Sequence, residues 1–232
     1  MQPPHDTPPA QITSPAPAHE PILRAPALAV LVALSMPLLY LLQVRLPDQG
    51  LAFAFRPIDL QHGEFAGLFT SMLLHSGWAH VLMNAVGALA FGAPVARLLS
   101  GVRGSVGFLA IYIVSGVIAA LGYGLLHWGS DDLLVGASGA VFGLIGAATR
   151  LMDEPGRILP MTDRRVISTS LAWMGVNALV GLIGFAPGAQ GGRIAWEAHA
   201  FGFVIGLASI GLAARAFGRP ALESPRVDSG EV

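Results

Sequence analysis

The chain has 232 residues, of which 53% are hydrophobic and only 12% charged. Soluble domains carry about 25% charged residues, so this composition excludes an ordinary soluble domain and indicates a protein of the lipid bilayer. The net charge of -1 and the absence of cysteine exclude a basic nucleic-acid-binding surface, disulfides, thiolate nucleophiles and cysteine-based metal sites.

Polar segments flank a long apolar region. Residues 1–24 contain seven prolines and few apolar side chains, which predicts a disordered tail because such a segment buries too little surface to offset its ordering entropy. They lack the basic start and small-residue cleavage site of a signal peptide. Residues 216–232 form a second polar tail, and residues 25–215 are predicted to be one membrane domain.

The apolar region divides into six stretches that each approach the roughly 20 residues needed to cross a bilayer as a helix. An all-α bundle of six transmembrane helices is therefore the predicted fold. The fourth stretch is short and rich in glycine, which favours a helix buried among the others over one that faces lipid. The predicted spans are residues 25–44, 76–96, 105–127, 136–152, 167–186 and 194–215.

The distribution of arginine predicts the orientation of these spans. Basic residues near span ends are retained in the cytoplasm, so the side with more arginine is taken as cytoplasmic. Ten of the thirteen arginines lie in the two tails and in the 97–104 and 150–166 loops, and only Arg45, Arg56 and Arg193 lie on the other side. Both termini are therefore predicted to be cytoplasmic. The expected location of the protein is the inner membrane of a bacterium.

The first connection is unusual. Residues 45–75 are too many for a turn and too apolar for a solvated linker. We expect this segment to lie in the outer membrane interface, against the helices.

Polar side chains recur near the start of three spans. The second span holds His80 and Asn84, the fourth holds Ser138 and the sixth holds His199. These spans run in the same direction, so the four side chains share one shallow depth below the outer surface. Polar groups inside a membrane are costly, which makes each of them a candidate for function.

Each residue also has a structural interpretation. The run GAVFG after Ser138 places small residues at i and i+4, a pattern that usually means close helix packing. Gly202 and Gly206 give the helix of His199 a similar groove. His80 and Asn84, at i and i+4, share one helix face and could bind water or a neighbouring helix.

The combination favours hydrolysis. A serine nucleophile needs a base to take its proton and donors to hold the developing oxyanion. His199 can be the base, His80 and Asn84 can donate, and Ser138 lies at a helix start, where free N–H groups favour an anion. The glycines that flank the serine let a substrate backbone approach; they are Gly136 and Gly139.

Three motifs together are specific. HSGWAHVLMN, GASG and AHAFGFVIG, on the second, fourth and sixth predicted helices, resemble the rhomboid family of intramembrane serine proteases in content and order. The resemblance covers roughly residues 25–215. It implies an endopeptidase with Ser138 as nucleophile and His199 as general base, without a third carboxylate.

The resemblance also implies supporting roles. His80, Asn84 and the Ser138 backbone N–H would form the oxyanion hole, Phe142 would stack on the ring of His199, and His75 would be structural, in a water-accessible cavity. The fifth span and the loop 187–193 would gate the entry of substrate. The partners would be membrane lipids and the transmembrane segments of other proteins, cut near their outer ends, with no cofactor, metal or nucleic acid.

One position departs from the family pattern. Many members carry Trp-Arg about nine residues before the first histidine of the second-helix motif, where this chain has Ala66 and Gly67. The anchoring of the first loop is therefore an open question. No carboxylate is expected at His199, because Asp131 and Asp132 lie in an outer loop and Glu197 points to another helix face.

Three other functions fit the sequence less well. A rhomboid-like protein that binds membrane helices without cutting them would be expected to lack the serine or the histidine, and this chain has both. A metal-dependent hydrolase using His75, His80 and His199 lacks the HExxH motif and a nearby carboxylate ligand. A transporter would show broken helices in two related halves, which the sequence does not.

Overall fold

A computed structural model describes residues 25–184 and 194–218, and these are helical apart from their connections. The tails and the loop 187–193 of the predictions fall wholly or mostly outside these residues. The α-helices are α1 (Ala27–Gln43), α2 (Gly67–Thr70), α3 (Trp78–Leu98), α4 (Gly101–Leu126), α5 (Ser138–Thr149), α6 (Arg164–Ile183) and α7 (Trp196–Phe217). Short 3-10 helices cover Pro47–Phe53, Pro57–His62 and Ser71–Leu73.

Four of the helices in the described residues are long and apolar enough to cross a membrane: α3, α4, α6 and α7. Helices α1 and α5 are apolar but shorter, with 17 and 12 residues. The prediction of an all-helical protein is confirmed. The fourth predicted span, residues 136–152, corresponds to a helix that begins two residues later and ends three residues earlier.

Helix α5 lies at the centre of the bundle. Ten of its twelve residues are buried, and the two others are Ser138 and Phe142. The prediction that this helix is surrounded by the others is thus confirmed. Its C-terminal end is fixed by Arg150, whose guanidinium donates hydrogen bonds to the carbonyls of Leu159 and Leu207.

Helices α5 and α7 pack backbone to backbone. A Cβ atom added at Gly202 would collide with the backbone of Gly139, and one added at Gly206 would collide with that of Gly143. Only glycine permits this approach, which brings the two helix axes as close as their main chains allow. We call this contact, formed by Gly139, Gly143, Gly202 and Gly206, the glycine seam.

The segment before α3 is attached to the loop that precedes α5. Phe55 and Leu134 form an antiparallel β-bridge, and Phe55 is fully buried. Arg56 pairs with Asp59 at 3.0 Å and with Asp131 at 3.3 Å. A Cβ atom at Gly67 would lie 2.9 Å from the Cα of Phe55, so glycine lets α2 lie directly on this bridge. These contacts anchor the first loop around Ala66 and Gly67.

Helix α6 is peripheral. Among the described residues it buries only Val166 and Asn177. It begins at an N-cap, Asp163, whose carboxylate accepts a hydrogen bond from the backbone N–H of Arg165 at 2.8 Å. Hydrogen bonds from the side chain and backbone of Arg165 hold the pKa of Asp163 below its usual value. The helix ends at Gly184, which adopts a left-handed conformation with φ 69°.

Candidate active site

Ser138 is the first residue of α5. The preceding Gly136 has φ 124°, a conformation that favours glycine, and it turns the chain into the helix. The N–H groups in the first turn of an α-helix have no partner within the helix, and the helix dipole is positive there. The Ser138 hydroxyl therefore lies where the backbone can stabilise negative charge.

His199 lies in the first turn of α7 and contacts this serine. Its Nε2 atom is 2.8 Å from the Oγ of Ser138, a hydrogen-bonding distance. Its Nδ1 atom is 2.9 Å from the Oδ1 of Asn177 on α6. The imidazole thus has a polar neighbour on each ring nitrogen, supplied by two different helices.

The face of the imidazole is covered by Phe142. The two ring centroids are 4.3 Å apart and the rings are inclined by only 6°, which is a parallel stack. The ring of Trp173 on α6 packs edge-on against Phe142, with ring centroids 6.4 Å apart and ring planes inclined by 82°. The stack restricts rotation of the His199 ring about its side-chain bonds.

His80 borders the same space from α3. Its Nδ1 accepts a hydrogen bond from the backbone N–H of Ser76 at 3.4 Å, and the Ser76 hydroxyl is 3.0 Å away. A neutral ring that accepts at Nδ1 carries its proton on Nε2, where it can donate. The Cβ position of Gly136 lies 2.7 Å from that Nε2 and 3.7 Å from the Ser138 Oγ, so both groups border the space a side chain at this position would fill.

Asn84 lies one turn further along α3. Its side chain is buried, and its Nδ2 atom has no hydrogen-bond partner among the described residues. The amide carries two N–H groups, so it can donate a hydrogen bond to a group that enters this space.

His75 is also buried, and its described contacts are with Gln43 and His80 rather than with Ser138 or His199. Its backbone is held to α1, because Gln43 donates to the His75 carbonyl and accepts from its N–H, both at 2.8 Å. Its ring packs edge-on against that of His80, with centroids 5.2 Å apart. It lines a mostly apolar cavity of about 220 Å³ between α1 and α4.

The glycines that the sequence singled out divide into two groups. Gly136 borders the site, whereas Gly139, Gly202 and Gly206 belong to the glycine seam. The expectation that Gly139 admits a substrate backbone is therefore corrected, since its Cβ position is occupied by Ala119 of α4. Gly139 brings helices together instead.

The nearby carboxylates are engaged elsewhere. Asp131 pairs with Arg56, and the Oε1 of Glu197 lies 3.5 Å from the Nε2 of His127 on α4. Glu197 thus points away from His199, as its position in a regular helix requires. Within residues 25–184 and 194–218, no cluster of three or more His, Asp or Glu side chains could hold a metal ion.

Asn177 was missed by the sequence reasoning. Besides contacting His199, its Nδ2 donates to the carbonyl of Trp196 at 2.8 Å. A signal was present, because Asn177 is the one amide in the apolar half of α6 from Leu171 to Ile183. A polar residue within a span is a candidate for function for the same reason as Ser138 and His199.

These features define the class of protein: an integral membrane protein of packed helices with a partly buried serine–histidine pair between two of them. The family model described as Rhomboid domain matches residues 62–216. The chain belongs to the rhomboid family.

Similar proteins come from bacteria and plants. YdcA of Bacillus subtilis (strain 168), whose name places it with the rhomboid proteases, is 32% identical over 116 residues, which cover 50% of this chain and 56% of that protein. Rhomboid protease GluP of the same organism is 33% identical over 88 residues, 38% of this chain and 16% of that protein. RHOMBOID-like protein 5 of Arabidopsis thaliana is 29% identical over 148 residues, 63% of this chain and 43% of that protein. The chain thus spans about half the length of the first of these relatives and less of the others.

Proposed function

We propose that this protein is an intramembrane serine endopeptidase that cleaves transmembrane segments of other membrane proteins with a dyad of Ser138 and His199. The observation that carries the proposal is the 2.8 Å approach of the Ser138 Oγ to the His199 Nε2. This approach occurs in a chain of the rhomboid family, two of whose relatives carry rhomboid protease names.

The reaction follows from the two atoms in contact. As the Oγ of Ser138 attacks the carbonyl carbon of the scissile peptide bond, its proton passes to the Nε2 of His199. The tetrahedral intermediate collapses when His199 returns that proton to the leaving amine, which leaves an acyl ester on Ser138. Water then attacks the ester with His199 again acting as the base, and the serine is regenerated.

The oxyanion would be stabilised by donors from two helices. The Ser138 backbone N–H lies at the positive end of α5, and the His80 Nε2–H and the Asn84 Nδ2–H come from one face of α3. Preorganised donors of this kind stabilise the charge that develops on the carbonyl oxygen. The unpartnered Asn84 amide and the Ser76 contact on the far side of the His80 ring support this assignment.

The position of the site constrains the substrate. The carbonyls of a helix are shielded by their own hydrogen bonds, so a helical segment must unwind locally before Ser138 can attack it. We propose that cleavage occurs next to a small residue that is followed by helix-breaking residues. A bulky β-branched residue at the cleavage point should suppress cutting, because the space beside the serine is narrow: even a Cβ atom added at Gly136 would lie 2.7 Å from the His80 ring.

The proposed topology has six spans with both termini in the cytoplasm. In this topology α1 and α5 cross the membrane in addition to the four long helices. Residues 45–75 lie in the outer interface. Residues 1–24 and 216–232 are cytoplasmic tails on either side of a protease domain of residues 25–215. Reporter fusions at residues 129–135 and 153–165 test this topology. Activity of a periplasm-only reporter at 153–165 would reverse it.

The decisive experiment compares two serines. Ser138→Ala should abolish cleavage of a transmembrane substrate and labelling by a fluorophosphonate probe, while expression and folding survive. The matched control is Ser115→Ala, which removes a fully buried hydroxyl on α4 that has no partner among the described residues and should leave activity unchanged.

The histidine provides the second part of this test. His199→Ala should also abolish labelling, because an alcohol without its base is a poor nucleophile. The double variant should be no worse than either single one, since the two residues act as a unit. Continued cleavage at the same bond by Ser138→Ala would exclude the proposed serine protease mechanism. Absence of both cleavage and labelling in the unmodified protein would favour a rhomboid-like protein that only binds membrane helices.

A further inference from the structure

We infer that Asn177 is a positioning residue, which fixes His199 in the tautomer and orientation that a general base for Ser138 needs. This inference rests on the proposed function for its consequence but not for its geometry. It begins from a chain of hydrogen bonds that runs from α7 to α6, back to α7 and then to α5. No carboxylate takes part in it.

The direction of each hydrogen bond follows from the backbone carbonyl at one end of the chain, which can only accept. The carbonyl oxygen of Trp196 can only accept, so the Asn177 side-chain atom 2.8 Å from it must be the Nδ2 donor. The Oδ1 of the same amide then faces the imidazole, 2.9 Å from the His199 Nδ1. Because an amide oxygen can only accept, Nδ1 must carry the proton.

The consequence appears on the other side of the ring. A neutral imidazole with its proton on Nδ1 has a lone pair on Nε2, the atom 2.8 Å from the Ser138 hydroxyl. That is the one neutral form able to accept the serine proton. In the opposite tautomer Nε2–H would donate to the hydroxyl and could not act as a base.

Within residues 25–184 and 194–218, no other polar side chain is placed to do this. Asp131 is paired with Arg56, and Glu197 faces His127. Phe142 restricts the tilt of the ring but, as a hydrocarbon, cannot distinguish its two nitrogens. Among the described residues, Asn177 is the polar side chain recorded in contact with Nδ1.

The placement of Asn177 supports the same conclusion. It is one of two buried residues on α6, and burying an amide in a mostly lipid-exposed helix is costly unless its hydrogen bonds are made. The neighbouring turn continues the contact, because Gly181 packs directly against the Trp196 side chain. Helix α6 thus packs against the first turn of α7, which carries His199, through Asn177 and Gly181.

The test reads the tautomer directly, without a reaction. The whole chain, labelled with ¹⁵N-histidine in detergent micelles, is studied by NMR, and the His199 signals are assigned by their loss in His199→Gln. The unmodified protein should show the proton on Nδ1. Asn177→Ala and Asn177→Leu should lose this preference, whereas Asn177→Asp, which keeps an oxygen acceptor, should retain it. Val176→Ala, an outward-facing truncation at the preceding position, is the control that should change nothing.

The fluorophosphonate labelling rate gives the second measurement. General-base assistance contributes about 10²–10⁴-fold, so the loss of orientation should slow labelling by about 10–100-fold in Asn177→Ala and Asn177→Leu. Asn177→Asp should restore most of this rate. The leucine variant keeps the site filled, so it serves even if the alanine variant does not fold.

Two results would overturn the inference. One is a wild-type tautomer and labelling rate in folded Asn177→Ala or Asn177→Leu. The other is an aspartate variant that loses the Nδ1 proton to the same extent as the leucine variant. Absence of labelling in the unmodified chain, with its tautomer as expected, would contradict only the proposed protease.

Discussion

The glycine seam and helix α6 both position His199, but the seam does so through main-chain packing and α6 through a side chain. In the seam, α5 and α7 touch through their main chains, so the spacing between Ser138 and His199 is fixed by backbone atoms that cannot yield. Helix α6 reaches His199 through a single amide and otherwise buries only Val166 among the described residues. The glycine seam therefore sets the distance between Ser138 and His199, whereas Asn177 of α6 contacts the Nδ1 side of the imidazole.

The first prediction concerns α3, which would supply oxyanion donors to the serine held by the glycine seam. Asn84→Ala should lower turnover by about 10²–10³-fold, because a preorganised donor to the developing charge is lost. His80→Ala should have a similar effect. Cleavage of a transmembrane substrate by the purified variants measures both, with Val86→Ala on the exposed face of α3 as the control. Unchanged turnover in both variants would remove α3 from the oxyanion hole.

The second prediction compares two glycines. Gly206→Ala should lower the free energy of unfolding by about 1–3 kcal/mol, because its Cβ atom would collide with the backbone of Gly143 in the seam. Gly175→Ala on α6 meets nothing within 4 Å and should be neutral or stabilising by up to about 1 kcal/mol, since alanine favours a helix. Thermal unfolding in detergent measures both variants. Equal destabilisation would mean that α6 packs as tightly as the seam.

The third prediction compares two aromatic contacts. Phe142→Ala removes the ring stacked on His199 and should slow probe labelling by up to about 10-fold, since such a pair contributes about 0.5–1.5 kcal/mol. Trp173→Ala on α6 touches Phe142 only edge-on and should have a smaller effect. Phe142→Tyr, which keeps the stack, should behave like the unmodified protein. A larger loss in Trp173→Ala than in Phe142→Ala would assign the orientation of the ring to α6 alone.

The fourth and smallest effect is expected at the start of α6. The pKa of Asp163 is lowered from 3.8, so its ionised form contributes stability above about pH 3.8, and this contribution is lost as the pH falls through the lowered pKa. Asp163→Asn keeps a capping side chain but removes the charge, and should reduce the Tm at pH 7 by less than about 2 °C. The difference in Tm between the unmodified protein and Asp163→Asn should shrink as the pH is lowered from 7 to 3. Divergence at low pH would contradict this assignment.

The sequence predicted much of the fold because the bilayer imposes a simple rule. Apolar stretches of nearly fixed length must form helices, since lipid offers no partners for backbone groups. The observed helices therefore lie within a few residues of the predicted spans. The shortening of α5 to 12 residues could not be predicted, because it depends on where Gly136 turns the chain and where Arg150 finds its two carbonyls.

The residues of the candidate site were likewise predicted in part from the sequence. Ser138, His199, His80 and Asn84 were identified from the sequence because polar groups in a span are rare and conspicuous. Their order along the helices also matched a family pattern. The sequence analysis assigned Gly139 to the approach of substrate. That assignment was wrong because a glycine that contacts a neighbouring helix cannot be distinguished, from sequence alone, from a glycine that contacts a ligand. Only the position of Ala119 and Gly202 distinguishes the two.

By itself the sequence determined that the protein is a helical membrane protein and which rare polar residues could perform chemistry, because hydropathy and residue type are local properties. The tertiary structure decided which of those residues meet. The glycine seam brings together residues 61 positions apart in the chain, and the turn of α6 against Trp196 brings Asn177 to the histidine ring. Neither contact is encoded in any local pattern, since each depends on how closely two helices approach and on the angle at which they cross.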